Sequence, residues 1–145
     1  MTRYLIFTFL TIVTMNANAQ QSSKNQVVDT EGHQVVIQVT QGDSSFQLSV
    51  IGQIRNIKKA LPNAEIEVVC HSQGLPMLVK AETKVAKHIE ELSQQSVTFV
   101  ACQNTMDRKK LGQADLVPLA KVVPSEMVEI ILKQEAGWPY LKGGI

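Results

Sequence analysis

"QVVIQVTQGDSSFQLSVIGQIRNIKKALPNAEIEVVCH", residues 34–71, changes texture twice, and those two changes decide the fold. Its first seven residues are rich in β-branched side chains and read as a strand. "QGDSS" is a turn signal, and Ser44 with Gln47 has capping-box spacing, so a helix should begin at Ser44. Val50, Ile54, Ile57 and Leu61 then recur at helical spacing and form one apolar stripe. Arg55, Lys58 and Lys59 lie off that stripe, and the two lysines suit the negative end of the helix dipole. Pro62-Asn63 ends the helix, and "AEIEVVCH" (64–71) reads as a second strand.

The same alternation continues. "SQGLP" reads as a turn and "MLVKAETKVAKHIEELSQQ" (77–95) as a second helix with Leu78, Ala81, Val85 and Leu92 inward. "VTFVACQ" (97–103) is a third strand, followed by a short helix over about 105–111. "AKVVPS" (120–125) is a fourth strand, and Ser125 should cap a last helix that Gly137 stops. Strand and helix in alternation predict an α/β fold: a three-layer α/β/α sandwich on a mostly parallel sheet of four to five strands. Near-continuous apolar runs such as "VVIQV" and "VTFVAC" fit strands covered on both faces.

Upstream, "MTRYLIFTFLTIVTMNANAQ" has Arg3, an apolar run from Tyr4 to Val13, and Ala17-Asn18-Ala19. A basic start, an apolar run too short to span a bilayer and a small-x-small site describe a secretory signal peptide over residues 1–19. The expected mature chain has a flexible lead-in over 20–33 and one domain over 34–145, without a membrane anchor after cleavage, periplasmic or secreted. A net charge of +1 and 5% aromatic residues give no case for nucleic acid.

In an open parallel sheet, sites form beyond the carboxyl ends of the strands. Cys70-His71 ends the second strand and Cys102 ends the third. Cys102 directly precedes a helix start, where backbone N–H groups would stabilise a thiolate; equally, a strand-end cysteine can simply pack. Both cysteines fall in a segment expected to meet an oxidising compartment, so a Cys70–Cys102 disulfide, strained and reducible, is a third reading. Cys70, Cys102 and His71 lack the paired spacing of a specific metal site, and no metal or other cofactor is expected. There is no phosphate-binding glycine pattern and no G-x-S-x-G elbow. A hydrolase built on Asp43, Ser44 or His71 lacks an identifiable nucleophile–base pair.

Four stretches, "VVIQVTQGD", "IEVVCHSQGLPML", "VTFVACQNTMDRKKL" and "KVVPSEMVEIILKQEAGWPYLK", together resemble the DsrE/DsrF-like family over nearly the whole mature chain. Cys70 and Ser72 depart from the family pattern, whereas Gly74 and Leu75 match it. The resemblance implies an α/β/α fold, assembly into homo-trimers or hexamers, and a persulfide carried on the cysteine after the third strand and handed to a partner protein. Cys102 holds that position. On this basis Cys102 is the candidate sulfur-carrying thiol, Cys70 a candidate resolving thiol and His71 a candidate rim residue, with sulfur-donor or acceptor proteins as partners. The alternative is a non-catalytic binding or assembly module whose cysteines pack.

Overall fold

The computed structural model describes residues 28–144, so the expected signal peptide lies outside the described residues. Five strands form one sheet in the order β4-β3-β2-β1-β5 and every pairing is parallel. They are β1 (Gln34–Val39), β2 (Glu65–Cys70), β3 (Val97–Cys102), β4 (Lys121–Val123) and β5 (Tyr140–Lys142). The helices are α1 (Ser44–Ala60), α2 (Ala86–Ser93), α3 (Gln103–Lys109) and α4 (Glu126–Glu135).

Strand parity divides the interior in two, because successive side chains leave a strand on opposite faces. Val35, Ile37 and Val39, with Ile66, Val68 and Cys70, and with Val97, Phe99 and Ala101, build the larger core. It is completed by Val50, Ile51 and Ile54 of α1 and by Ile89 and Leu92 of α2. The opposite face carries a smaller cluster of Val36, Val69, Val100 and Ile130, with Trp138 packed against it. Topology explains the asymmetry. From β1 to β4 each strand is laid down beside the last, so right-handed connections keep their helices on one face. The chain then returns from β4 past the whole sheet to β5 beside β1, which carries α4 across the other face.

Several sequence expectations shift by physical causes that can be named. The cap of α1 is Asp43, one residue before the expected Ser44: its Oδ1 accepts from the Phe46 N–H at 3.0 Å and from Ser45 Oγ at 2.6 Å. Lys58 is buried rather than solvated, because its ammonium donates to the carbonyls of Pro62 and Ala64 at 2.6 and 2.7 Å, closing the end of α1. The second helix occupies only 86–93 of the expected 77–95. Residues Ser72–Leu78 instead form a 3₁₀ turn, and Val79 then bridges antiparallel to Leu116, pulling the chain straight. Met77, Leu78 and Val79 are therefore core residues outside any α-helix, while Ala81 is exposed. Helix α3 starts at Gln103 with no gap after β3. Ser125 precedes α4 as expected, yet its side chain makes no capping bond. Gly137, at φ 89°, ends that helix region in the left-handed conformation glycine favours. The short β5 is one strand more than the sequence marked: Tyr140 and Leu141 pair with the edge of β1.

Candidate functional site

Four polar or reactive side chains converge on the α4 face at the carboxyl end of the sheet. Gln38 sits near the end of β1, His71 follows β2, Cys102 ends β3, and Glu126 opens α4 directly after β4. Parity puts them together. Val39 pairs with Cys70, so Gln38 and His71 both leave on the face opposite Cys70. Cys70 also pairs with Ala101, so Cys102, one residue further, leaves on that same opposite face.

The Cys102 thiol donates to Glu126 Oε2 at 2.8 Å, while the other carboxylate oxygen lies 3.3 Å from His71 Nδ1. His71 Nδ1 is also 3.0 Å from Ser72 Oγ, and its Nε2 is 3.0 Å from Gln38 Nε2. Tyr140 of β5 donates its hydroxyl to Gln38 Oε1 at 2.5 Å. Beneath the turn, the Ser72 N–H donates to Thr105 Oγ1 at 3.1 Å, and Arg108 donates to the same hydroxyl at 3.2 Å.

The electrostatics follow from this arrangement. Burial works to raise the Glu126 carboxyl, but the Cys102 hydrogen bond, the residue's own backbone N–H, His71 and Arg108 outweigh it and hold the group below the usual carboxylate range. Glu126 is thus an ionised acceptor at neutral pH. Burial pushes the His71 imidazole down; Glu126 pulls it partly back and Arg108 pushes it down again, so it stays below its ordinary value. The result is a thiol, a carboxylate and an imidazole in line, with the carboxylate in the middle. Chemically, Glu126 accepts the thiol hydrogen bond on one oxygen and has His71 against the other, so any proton leaving Cys102 meets Glu126 first.

Of the residues expected from sequence, the structure brings Cys102 and His71 together through Glu126, and it does not bring Cys70 to either. Cys70 is fully buried in the larger core on the other face of the sheet, and burial drives its thiol well above the ordinary range. Both cysteines are free. This structure holds no Cys70–Cys102 disulfide, and it places the two thiols on opposite faces, because neighbouring residues offset by one position point opposite ways, which favours neither the disulfide nor a resolving role for Cys70. Asp43 is occupied as the α1 cap. Sequence reading missed Glu126, Gln38 and Tyr140. Gln38 did carry a signal, as the one polar residue inside "VVIQV", whereas Glu126 becomes visible only once α4 folds back over β3. Among the described residues, no group of His, Cys, Asp and Glu is arranged to hold a metal ion, and no helix is long and apolar enough to cross a membrane.

Further along the same face lies a second charged group. Glu67 is 6% exposed, and its Oε2 accepts from Lys133 at 2.8 Å. Lys133 also lies 3.7 Å from Glu129 and stacks 4.3 Å above the Trp138 ring. Burial pushes the Glu67 carboxyl up; Lys133 opposes that and Glu129 adds to it. The trough beside this group, about 490 Å³, runs over Thr98, Val100 and Val123, where α4 leaves β3 and β4 uncovered.

The DsrE/DsrF-like family matches residues 33–142. The chain is similar to the solved structure of MTH1491, a protein of unknown function from Methanobacterium thermoautotrophicum, at 32% identity and a TM-score of 0.72, covering 76% of this chain and 98% of that one. The ychN protein of E. coli is similar in fold at 15% identity and a TM-score of 0.63, covering 76% and 98%. A protein of unknown function from Bacteroides thetaiotaomicron, BT1422, is similar in fold at 14% identity and a TM-score of 0.57, covering 75% and 93%. No curated protein matches the chain.

Proposed function

The chain belongs to the DsrE/DsrF-like family, and on that premise we propose that it is an exported sulfur carrier acting through Cys102. The observation that carries the reading is the 2.8 Å contact of Cys102 Sγ with the Glu126 carboxylate, itself oriented by His71. A thiol becomes a sulfur nucleophile only on losing its proton, and here an acceptor already holds that proton in a hydrogen bond.

The step balances without an oxidant. Glu126 takes the Cys102 proton, and Sγ attacks the outer sulfur of a persulfide R–S–S–H. The Cys102 Sγ–S bond forms as the donor's S–S bond breaks, and Glu126 returns its proton to the departing R–S⁻. The products are the Cys102 persulfide and R–SH, and the reverse sequence delivers the sulfur to an acceptor thiol. Cys102 is fully buried, so its cover must open for a donor to reach it.

Export rests on residues 1–19. Assembly into a homo-oligomer is supported by the outer surface of α4, where Met127, Val128, Ile131 and Leu132 are each at least half exposed. The complete burial of Cys102 favours a second reading, a non-catalytic binding or assembly module in which the thiol packs.

One experiment separates the two. Purified protein is treated with polysulfide and followed by intact mass, with the modified residue mapped. The carrier reading expects a gain of one sulfur atom on Cys102, absent from Cys102→Ser. A wild-type chain that gains none, or a Cys102→Ser chain that gains as much, ends that reading. Export is tested by the N-terminus of the protein recovered from a native host, which should begin at Gln20.

A further inference from the structure

A neutral imidazole has one donor and one acceptor nitrogen, and its neighbours decide which is which. The Gln38 amide nitrogen, 3.0 Å from His71 Nε2, can only donate. The ionised Glu126 carboxylate, 3.3 Å from His71 Nδ1, can only accept. Both demands are met by one tautomer alone, with the proton on Nδ1. Were the Gln38 amide turned over, Nδ1 would present a lone pair to a carboxylate. The Tyr140 hydroxyl donates to Gln38 Oε1 in the orientation that avoids this. A series of contacts therefore runs from the 39% exposed Tyr140 through Gln38, His71 and Glu126 to the buried thiol, the His71–Glu126 step being a 3.3 Å approach of Nδ1 to the carboxylate while the Nδ1 hydrogen bond goes to Ser72 Oγ.

We propose that Gln38, anchored by Tyr140, is a positioning residue that holds His71 as the Nδ1–H tautomer, so that His71 orients Glu126 and Glu126 alone is left to accept the Cys102 proton. In the usual nucleophile–imidazole–carboxylate order the imidazole is the base and the carboxylate selects its tautomer. Here the order is inverted. The imidazole turns its protonated Nδ1 side toward Ser72 and the carboxylate, and the Gln38 N–H covers the one ring nitrogen that could take a proton. The short β5 thereby gains a role beyond closing the sheet edge. It brings Tyr140 across from the far end of the chain to set the tautomer of the histidine that follows β2.

The purpose of this device rests on the sulfur-carrier reading, but its test does not require sulfur transfer. The protein, ¹⁵N-labelled, is followed by long-range ¹H–¹⁵N correlation of the His71 ring across pH. The wild type is expected to show a protonated Nδ1 and an unprotonated Nε2 at neutral pH. Gln38→Glu exchanges the donor for an acceptor, so that acceptors face both ring nitrogens, and is expected to add a proton at Nε2 while Nδ1 keeps its own. It should also raise the protonation midpoint of His71 by about one to three pH units, as an adjacent carboxylate does. The other groups acting on the ring (Glu126 from α4, Arg108 from α3 and the Ser72 hydroxyl) are unchanged by that substitution. Tyr140→Phe, the milder variant, releases the amide and is expected to give a mixture of both tautomers. A wild-type ring protonated on Nε2, or a folded Gln38→Glu whose Nε2 stays unprotonated through neutral pH, overturns the proposal. A Tyr140→Phe spectrum identical to wild type removes the anchoring role of Tyr140. Failure of Cys102 to gain sulfur leaves these spectra untouched and counts against the carrier reading alone.

Discussion

Replacing Gly74 by alanine should damage both the fold and the site, by an amount that the geometry bounds. A Cβ at that position would lie 2.1 Å from the Val39 carbonyl oxygen, 2.5 Å from its carbon and 2.9 Å from the Thr40 nitrogen. The first distance is roughly 1.3 Å inside ordinary contact, and the obstacle is backbone that cannot rotate away. The Val39 carbonyl accepts from the His71 N–H at 3.2 Å, and the Gly74 N–H donates to the His71 carbonyl at 2.7 Å. Relieving the clash therefore separates β1 from the turn that carries His71. Overpacking costs about 1–3 kcal/mol and one lost hydrogen bond about 0.5–1.5 kcal/mol, so a loss of about 2–4 kcal/mol is expected. At roughly 4 °C per kcal/mol for a domain of this size, Tm should fall by about 10 °C. Gly52→Ala is the control. Gly52 lies inside α1 with nothing within 4 Å of an added Cβ, so alanine there should stabilise by about 0.5–1 kcal/mol. Both variants are measured by thermal and urea denaturation, with the His71 ring resonances as the readout of the site. A Gly74→Ala protein that melts within about 2 °C of wild type, with His71 undisturbed, would refute the claim that the Val39 contact sets this turn.

Burial raises the Glu67 carboxyl, so its contribution to stability is complete below the unfolded value, near pH 4.3, and is lost as pH rises through the folded value. Wild type should lose stability relative to Glu67→Gln over that rise in urea titrations, and parallel curves would contradict the assignment. His71 is depressed, chiefly by burial, so its contribution is present above about pH 6.5 and lost as pH falls through the folded value. Wild type should therefore weaken on acidification relative to His71→Gln, and equal acid sensitivity of the two would count against a buried neutral ring. Ile131 is 50% exposed on α4, so Ile131→Glu should leave the circular dichroism unchanged while light scattering falls to the mass of a single chain. A wild-type protein already of that mass at tens of micromolar would remove the assembly proposal.

The architecture was readable because patterning and topology point the same way. β-Branched runs of six or seven residues, each followed by a helical stripe, leave little choice but a parallel sheet. What failed to read was set by contacts distant in sequence. The stretch 77–85 carries helical spacing, yet Met77, Leu78 and Val79 are buried through a 3₁₀ turn and the Val79–Leu116 bridge, and Ala81 is left exposed. β5 is three exposed residues that become a strand only because β1 offers them an edge. In the site, Cys102 and His71 were marked by their chemistry and their strand ends. Glu126 looked like any acidic residue in the first turn of a helix, and its partner lies 24 positions away. The fate of Cys70 turned on one residue of register: paired with Ala101 rather than with Cys102, it belongs to the other side of the sheet.

That single step of register bears on how long a sulfur atom could be kept. A persulfide beside a second thiol is short-lived, since the neighbour attacks the inner sulfur, closes a disulfide and expels hydrosulfide. Here the sheet itself stands between Cys102 and Cys70, whose side chains leave on opposite faces. On the carrier reading, sulfur loaded on Cys102 would have no route of discharge through Cys70, and its lifetime would be set by what arrives from outside. The backbone acts as an insulator, and the second cysteine can remain in the chain without short-circuiting the first.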